Sequence, residues 1–181
     1  MPQIVGKNTP KNGVAPAIAL CNPKGPDNVG MIVRLASCYG IQQVWWTGNR
    51  VHTEMEQRKR LPREERMKGY NDVEMVHYDY FFDMFEDCTP VAIEVREDAE
   101  MLHDFDHPEN ALYVFGPEDG SIDKVTMRHC HRRIVIPTRH CLNLATAVST
   151  VLWDRQLKQH WNGQTVHVTP GEWEDRGPIV T

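Results

Sequence analysis

Between residues 15 and 47 the chain spells a strand, a turn-rich loop, an amphipathic helix and a second strand, an order that demands a parallel crossover. APAIAL at 15–20 is a short apolar run. NPKGPDN follows it, with Asp27 or Asn28 expected to cap the helix. Apolar residues then recur at Val29, Ile32, Val33, Ala36 and Tyr39, one stripe at helical spacing. Gly40 stands where a helix commonly ends in a left-handed residue. Residues 43–47 (QVWWT) read as the second strand.

The rest of the chain repeats the theme. Strand-like runs lie at 73–77, 91–95, 112–115 and 134–136, and the aromatic, acidic stretch 79–86 reads as a short helix. Residues 49–70 are charged, contain Pro62 and end at Gly69, so they read as an excursion outside the core. The last helix is expected over 143–158, with Leu144, Ala147, Val148, Val151 and Leu152 as its buried stripe. Alternating strands and helices predict an α/β fold: a single domain over 15–160 with a mainly parallel sheet flanked by helices. Residues 1–14 are expected to be a flexible segment and 161–181 a turn-rich tail.

Composition narrows the class. A chain of 181 residues with 40% hydrophobic and 25% charged residues has enough apolar surface for one core. No apolar run approaches membrane-spanning length, and MPQIVGKNTPKNG lacks the apolar core of a secretory signal. The five cysteines form no CxxC pair, so reduced thiols and a cytoplasmic location are expected.

The net charge of −5 does not by itself indicate a nucleic-acid partner, but its distribution is uneven. Residues 72–109 carry thirteen carboxylates against one Arg. Residues 50–71 carry seven cations against four Glu, and residues 124–158 carry seven against one Asp. Such a chain can present a basic face to phosphate while being acidic overall. Taken alone, the pattern fits a mixed solvated surface better than a nucleic-acid face.

Several motifs are excluded. GPDNVG at 25–30 has the length of a phosphate loop, but Met31 and Ile32 replace the Lys and Ser/Thr that would grip phosphate and magnesium. GxGxxG, GxSxG and HExxH are absent. His129-Cys130-His131 and His140-Cys141 match no standard zinc spacing, so no metal is expected.

Three segments stand out. Asn28-Val29-Gly30 followed by Arg34 opens the first helix, where an N-terminus attracts anions. LYVFGPEDG, residues 112–120, is a buried strand ending in a Gly-Pro turn that delivers Glu118 and Asp119 to the sheet edge. RIVIPTRHCLNLATA, residues 133–147, is a strand, a short loop and a helix start rich in small residues. Each has a plain structural explanation: a solvated helix start, an acidic turn and a connecting loop.

Together, in this order, the segments resemble the three signature motifs of the SpoU (TrmH-like) branch of the SPOUT superfamily of RNA methyltransferases, over about residues 15–158. The matching positions are Asn28, Gly30 and Arg34; Phe115, Gly116, Glu118 and Gly120; and Ile136, Pro137, Leu142, Asn143 and Ala145. Cys141 departs from the Ser usual before the Leu-Asn pair.

The resemblance implies a C-terminal deep trefoil knot, which ordinary chain-threading rules would not predict. It implies a homodimer, and transfer of a methyl group from S-adenosylmethionine to a ribose 2′-hydroxyl of RNA. Cofactor contacts would come from Glu94, Val95, Phe115, Gly116, Pro117, Glu118, Ile136, Pro137, Thr138, Leu142, Asn143 and Ala145. Arg34 would be the central catalytic group, meeting the pocket across the dimer, with Asn28, Glu118 and Asn143 shaping the site. An Arg is nearly always protonated. It would therefore clamp phosphate and stabilise the developing alkoxide, with phosphate or a transiently neutral Arg34 taking the proton. RNA contacts are expected from Arg50, Arg58, Lys59, Arg60, Arg63, Arg66, Lys68, Arg139 and His140. No separate RNA-binding domain precedes residue 15, and minimal members often act on tRNA, so tRNA is favoured over rRNA. The competing readings are a non-catalytic RNA-binding module of the same fold and an unrelated metal-dependent hydrolase. Calorimetry with S-adenosylmethionine separates the first, and metal analysis the second.

Overall fold

A computed structural model describes residues 4–5, 12–51, 53 and 72–164. In chain order its strands are β1 (Ile4–Val5), β2 (Ala17–Leu20), β3 (Gln43–Trp46), β4 (Glu74–His77), β5 (Thr89–Ile93), β6 (Glu100–Met101), β7 (Ala111–Phe115) and β8 (Arg132–Val135). The helices are α1 (Pro26–Cys38), α2 (Lys124–His129) and α3 (Leu144–Trp161). The strands form one sheet in the order β1-β4-β3-β2-β7-β5-β8-β6, and every pairing is parallel.

Strand β2 lies near the middle of this sheet and is buried along its whole length, because side chains of opposite parity enter two different cores. Ile18 and Leu20 join Val44, Trp46, Tyr113 and Phe115 against the apolar stripes of α1 and α3. Ala17 and Ala19 join Trp45, Leu112 and Val114 against Phe81, Ile122 and Met127. Each large side chain buried in this way contributes about 1.5–3 kcal/mol. Trp45 and Trp46 are fully buried, so neither is available to stack on a base, whereas Trp161 is 70% exposed.

Several local expectations need correction. Neither Asp27 nor Asn28 caps α1: Gly25 is the N-cap and Pro26 opens the helix. Proline suits that position because its missing N–H would have no partner there. Asn28 is thereby free to point its amide elsewhere. The stretch 79–86 forms only a 3₁₀ turn at Phe81–Met84, anchored by the buried Phe81. Strand β5 stops at Ile93, leaving Glu94 and Val95 in the following loop, and β8 stops at Val135, before Ile136. Four elements were not expected, among them β1, which lies inside the 1–14 segment expected to be flexible and pairs with β4, and a 3₁₀ turn at Leu102–Asp104. The third is β6, a two-residue exposed strand. The fourth is α2, a short helix capped by Asp123 through bonds from the Val125 and Thr126 amides, an arrangement worth about 1 kcal/mol.

A buried polar knot of side chains ties α3 to the loop before β7. Arg155, only 6% exposed, donates to the carbonyls of Pro108 and Glu109 and to the Tyr113 hydroxyl. His107 bridges that hydroxyl and Asp154, and Lys158 caps the Leu102 and Phe105 carbonyls. Burial pushes the His107 pKa down despite the neighbouring Asp154 carboxylate. These bonds hold α3 so that its N-terminus meets the sheet edge.

Parallel pairing brings the carboxyl ends of the strands to one edge. The loops after β2, β5, β7 and β8 therefore share that edge, where ligands of open α/β sheets bind. Strand β6 pairs with β8 on the side away from β5, so the loop 94–99 must span β8.

Candidate active site

Glu118 organises the edge. It follows the Gly116-Pro117 turn out of β7, and its carboxylate accepts from the Lys24 amide at 2.7 Å, the Gly25 amide at 3.0 Å and the Asn28 side-chain amide at 2.8 Å. Desolvation opposes the charge, but the donors from Asn28, Lys24 and Gly25 outweigh it and hold the carboxyl below the ordinary glutamate range. Asn28 in turn accepts from the Asn143 amide at 3.0 Å. Asn143 is the N-cap of α3 and accepts from the Ala145 and Thr146 amides. Three of the four expected catalytic residues thus form one hydrogen-bonded chain across three loops.

Beside this chain lies a cavity of about 160 Å³. Of the residues expected to hold a cofactor, Glu94, Val95, Phe115, Gly116, Pro117, Glu118, Ile136, Thr138 and Leu142 line it. Pro137, Asn143 and Ala145 do not: Ala145 is buried in the core and Asn143 is spent on its cap and on Asn28. Ile93, Gly120, Val135, Cys141, Leu144 and Ala147 line it as well. Ile93 and Val135 end adjacent parallel strands, and Leu144 and Ala147 sit one turn apart on α3. The sequence reading misses these six; for Ile93, Val135, Leu144 and Ala147 the available signals are the strand ends and the helix spacing.

The lining joins apolar side chains such as Ile93, Phe115, Ile136 and Leu144 to the polar Glu94, Glu118 and Thr138, which suits a ligand with a flat ring and a polar tail. Gly116 is packed closely: a Cβ there would lie 3.1 Å from the Ile122 backbone nitrogen. Glu94 braces the wall, accepting from the Ile122 amide at 3.0 Å and the Val95 amide at 3.1 Å.

The expected cations are placed differently. Arg34 is exposed on α1, in a stripe with Asp27, Met31 and Cys38, and does not line its own chain's cavity. Arg50 makes a bidentate pair with Asp119 at 2.9 and 2.8 Å. That guanidinium, helped by Lys24 at 3.5 Å, holds the Asp119 carboxyl down at about 2. Arg139 and His140 are exposed in the loop between β8 and α3. Arg58, Lys59, Arg60, Arg63, Arg66 and Lys68 lie outside the described residues.

Among the described residues, no three His, Cys, Asp or Glu side chains are gathered as metal ligands, and no helix is long and apolar enough to cross a membrane. Cys130 is buried, and burial pushes its pKa up to about 12, while His129 stacks on Phe82. Cys141 is exposed at the cavity.

A family model described as the SpoU rRNA Methylase family matches residues 15–153. No curated protein matches the sequence. Similar solved structures include the SpoU methyltransferase AviRb from Streptomyces viridochromogenes, at 20% identity and a TM-score of 0.66 over 82% of this chain and 60% of that one. An AdoMet-bound rRNA methyltransferase from Sinorhizobium meliloti is 17% identical with a TM-score of 0.63, over 83% of this chain and 60% of that one. A structure described as giving insights into the 2-OH methylation of C/U34 on tRNA is 18% identical with a TM-score of 0.63, over 82% of this chain and 97% of that one. The chain spans about three fifths of the length of the first two.

Proposed function

Because the chain belongs to the SpoU rRNA Methylase family, we propose that it is an S-adenosylmethionine-dependent RNA methyltransferase that methylates a ribose 2′-hydroxyl, with tRNA as substrate. The observation that carries this reading is the chain of bonds from Glu118 through Asn28 to Asn143 at the mouth of an apolar cleft. The tRNA preference rests on likeness in size and fold to the structure concerned with C/U34, of which this chain covers 97%.

When bound, S-adenosylmethionine supplies an electrophilic methyl group on a positively charged sulfur. The cavity is small for the whole molecule, so we place its adenine or methionine part inside and the remainder along the loops after β5, β7 and β8. Gly116 lets the backbone approach closely, and apolar residues from Ile93 to Leu144 exclude water from the ring. Glu118 stays ionised and holds the loop 22–25 against the loop 116–120.

Arg34 acts from a second copy of the chain. Its exposure on α1, away from its own cavity, supports this arrangement, as do the exposed Met31 and Trp153. The guanidinium holds the phosphate next to the reacting ribose and stabilises charge growing on the 2′-oxygen. Bound in the cleft, S-adenosylmethionine would give its methyl group to the 2′-oxygen and leave as the thioether S-adenosylhomocysteine, while a phosphate oxygen of the RNA would take the hydroxyl proton. We further infer the C-terminal knot: β8 sits between β5 and β6, and the loop 94–99 joining those two strands spans it. We place the protein in the cytoplasm, with its five cysteines reduced.

The test is incubation of the purified protein with methyl-labelled S-adenosylmethionine and total tRNA, followed by mass-spectrometric mapping. We expect 2′-O-methylated nucleosides at one position. Label on a base, or none on tRNA while rRNA fragments are methylated, removes the corresponding part of the proposal.

A further inference from the structure

A second cavity, of about 390 Å³, opens on the same sheet edge. The segment 115–129 contributes to both: Phe115–Glu118 and Gly120 line the first, and Asp123, Val125, Thr126 and His129 line the second. Arg50 bridges the second cavity and the loop of the first: it donates to the carbonyl of Asn22, a lining residue of the second, at 3.5 Å, and holds Asp119.

Its walls are aromatic. His129 stacks on Phe82 with ring centroids 4.6 Å apart, and Tyr80 is 71% exposed at the rim. Its floor is rigid. Asn22 and Gly48 both take left-handed backbone conformations, and a Cβ on Gly48 would collide with the Asn22 side chain.

The polar groups of the cavity are unevenly committed. Asp79 accepts from the Gly48 amide, and Asp123 is consumed in capping α2. Among the described residues, the Asn22 side-chain amide and the Asp83 carboxylate make no hydrogen bond, yet both line the cavity. A carboxylate accepts only, and it satisfies two adjacent N–H donors at once. An amide offers a donor beside an acceptor. Flat aromatic surfaces, one free carboxylate and one free amide match an unstacked base whose pairing edge presents two neighbouring donors and a carbonyl.

We propose that this cavity receives a guanine base of the substrate RNA, one close in sequence to the methylated nucleotide. This rests on the RNA methyltransferase reading above. Asp83 takes the ring and exocyclic N–H groups of guanine, Asn22 meets its carbonyl edge, and Tyr80 and the Phe82–His129 pair supply stacking surface.

The experiment is an NMR titration of the full chain with guanosine monophosphate and with adenosine monophosphate. Saturating S-adenosylhomocysteine is added to fill the first cavity. We expect saturable guanosine monophosphate binding that perturbs Tyr80, Phe82 and His129, with adenosine monophosphate weaker by about tenfold. Asp83→Asn removes that preference, and Tyr80→Ala weakens both nucleotides by about fivefold or more. Both side chains are exposed, and unchanged S-adenosylhomocysteine affinity confirms that the variants are folded. Equal binding of the two nucleotides, or binding indifferent to both substitutions, overturns the proposal. So does saturable binding of arginine amide in place of either nucleotide, which would mark a site for a protein partner. If S-adenosylhomocysteine fails to bind but the guanine preference is present, the methyltransferase reading fails while the base site stands. If it binds and the preference is missing, the base site alone fails.

Discussion

The Asn143 side-chain amide donates to the Asn28 side-chain oxygen at 3.0 Å, across 115 residues of sequence. Each amide has one choice of orientation here. Asn28 gives its nitrogen to Glu118 and Asn143 gives its oxygen to the first turn of α3, so the oxygen of one faces the nitrogen of the other. The starts of two helices and the loop after β7 are thereby locked into one unit.

That unit should behave cooperatively. Asn28→Ala and Asn143→Ala should each lower stability by about 1–2 kcal/mol, the second partly through its lost cap. The double variant should cost less than the two single costs added, because both remove the same bond. Denaturant unfolding of the four proteins measures the difference.

Glu118 makes stability depend on acid. Its carboxyl lies below the ordinary value of 4.5 in the folded chain, so the unfolded chain binds more protons in that range. Stability from this group is complete above about pH 4.5 and is lost as pH falls through the folded pKa. Glu118→Gln should flatten this part of the stability–pH curve, measured by unfolding between pH 3 and 6.

Arg34→Ala should reduce methyl transfer by about 100-fold or more and leave cofactor affinity unchanged, since the guanidinium is assigned to the RNA phosphate and the 2′-oxygen and not to the cofactor. Mixing it with a variant disabled at the cofactor cleft should restore part of the activity, because one mixed pocket then has both intact parts. Activity that does not recover on mixing argues against action across a dimer.

Gly116→Val should damage the cofactor cleft. The new Cβ meets the Ile122 backbone nitrogen at 3.1 Å and its side chain at 3.4 Å, and backbone does not yield easily. Cofactor affinity should fall by about tenfold or more. Isothermal calorimetry measures this, with the melting temperature reporting any general loss of structure.

Replacing Arg58, Lys59 and Arg60 together should weaken RNA binding and lower the slope of log affinity against log salt by about 2. Arg50→Ala should change the slope less, because Arg50 is already neutralised by Asp119. Filter binding at several salt concentrations compares them.

Much of this was legible in the order of residues. The stripe from Val29 to Ala36 names the buried face of α1, and the apolar run Ala17 to Leu20 names a central strand. Gly116, Pro117, Glu118, Ile136, Thr138 and Leu142, singled out through the family resemblance, line the cavity at the sheet edge. The stretch 79–86 does hold a short helix, but of the 3₁₀ kind and only over Phe81–Met84, because the aromatic pattern does not distinguish an α-helix from one 3₁₀ turn pinned by Phe81. Strand β6 is two exposed residues, too short to carry a period.

Sequence by itself determined the pieces: which stretches are strands, which helix faces are apolar, and which loops carry Asn, Glu and Arg. Those follow from the nearest few residues, through side-chain spacing and turn chemistry. Tertiary structure alone decided that β8 lies between β5 and β6, that Glu118 is held by Lys24, Gly25 and Asn28, and that Asp119 engages Arg50. These partners stand far apart in the chain, and no local preference specifies them. They meet because parallel strands must be joined by crossovers that carry every carboxyl-end loop to the same edge of the sheet.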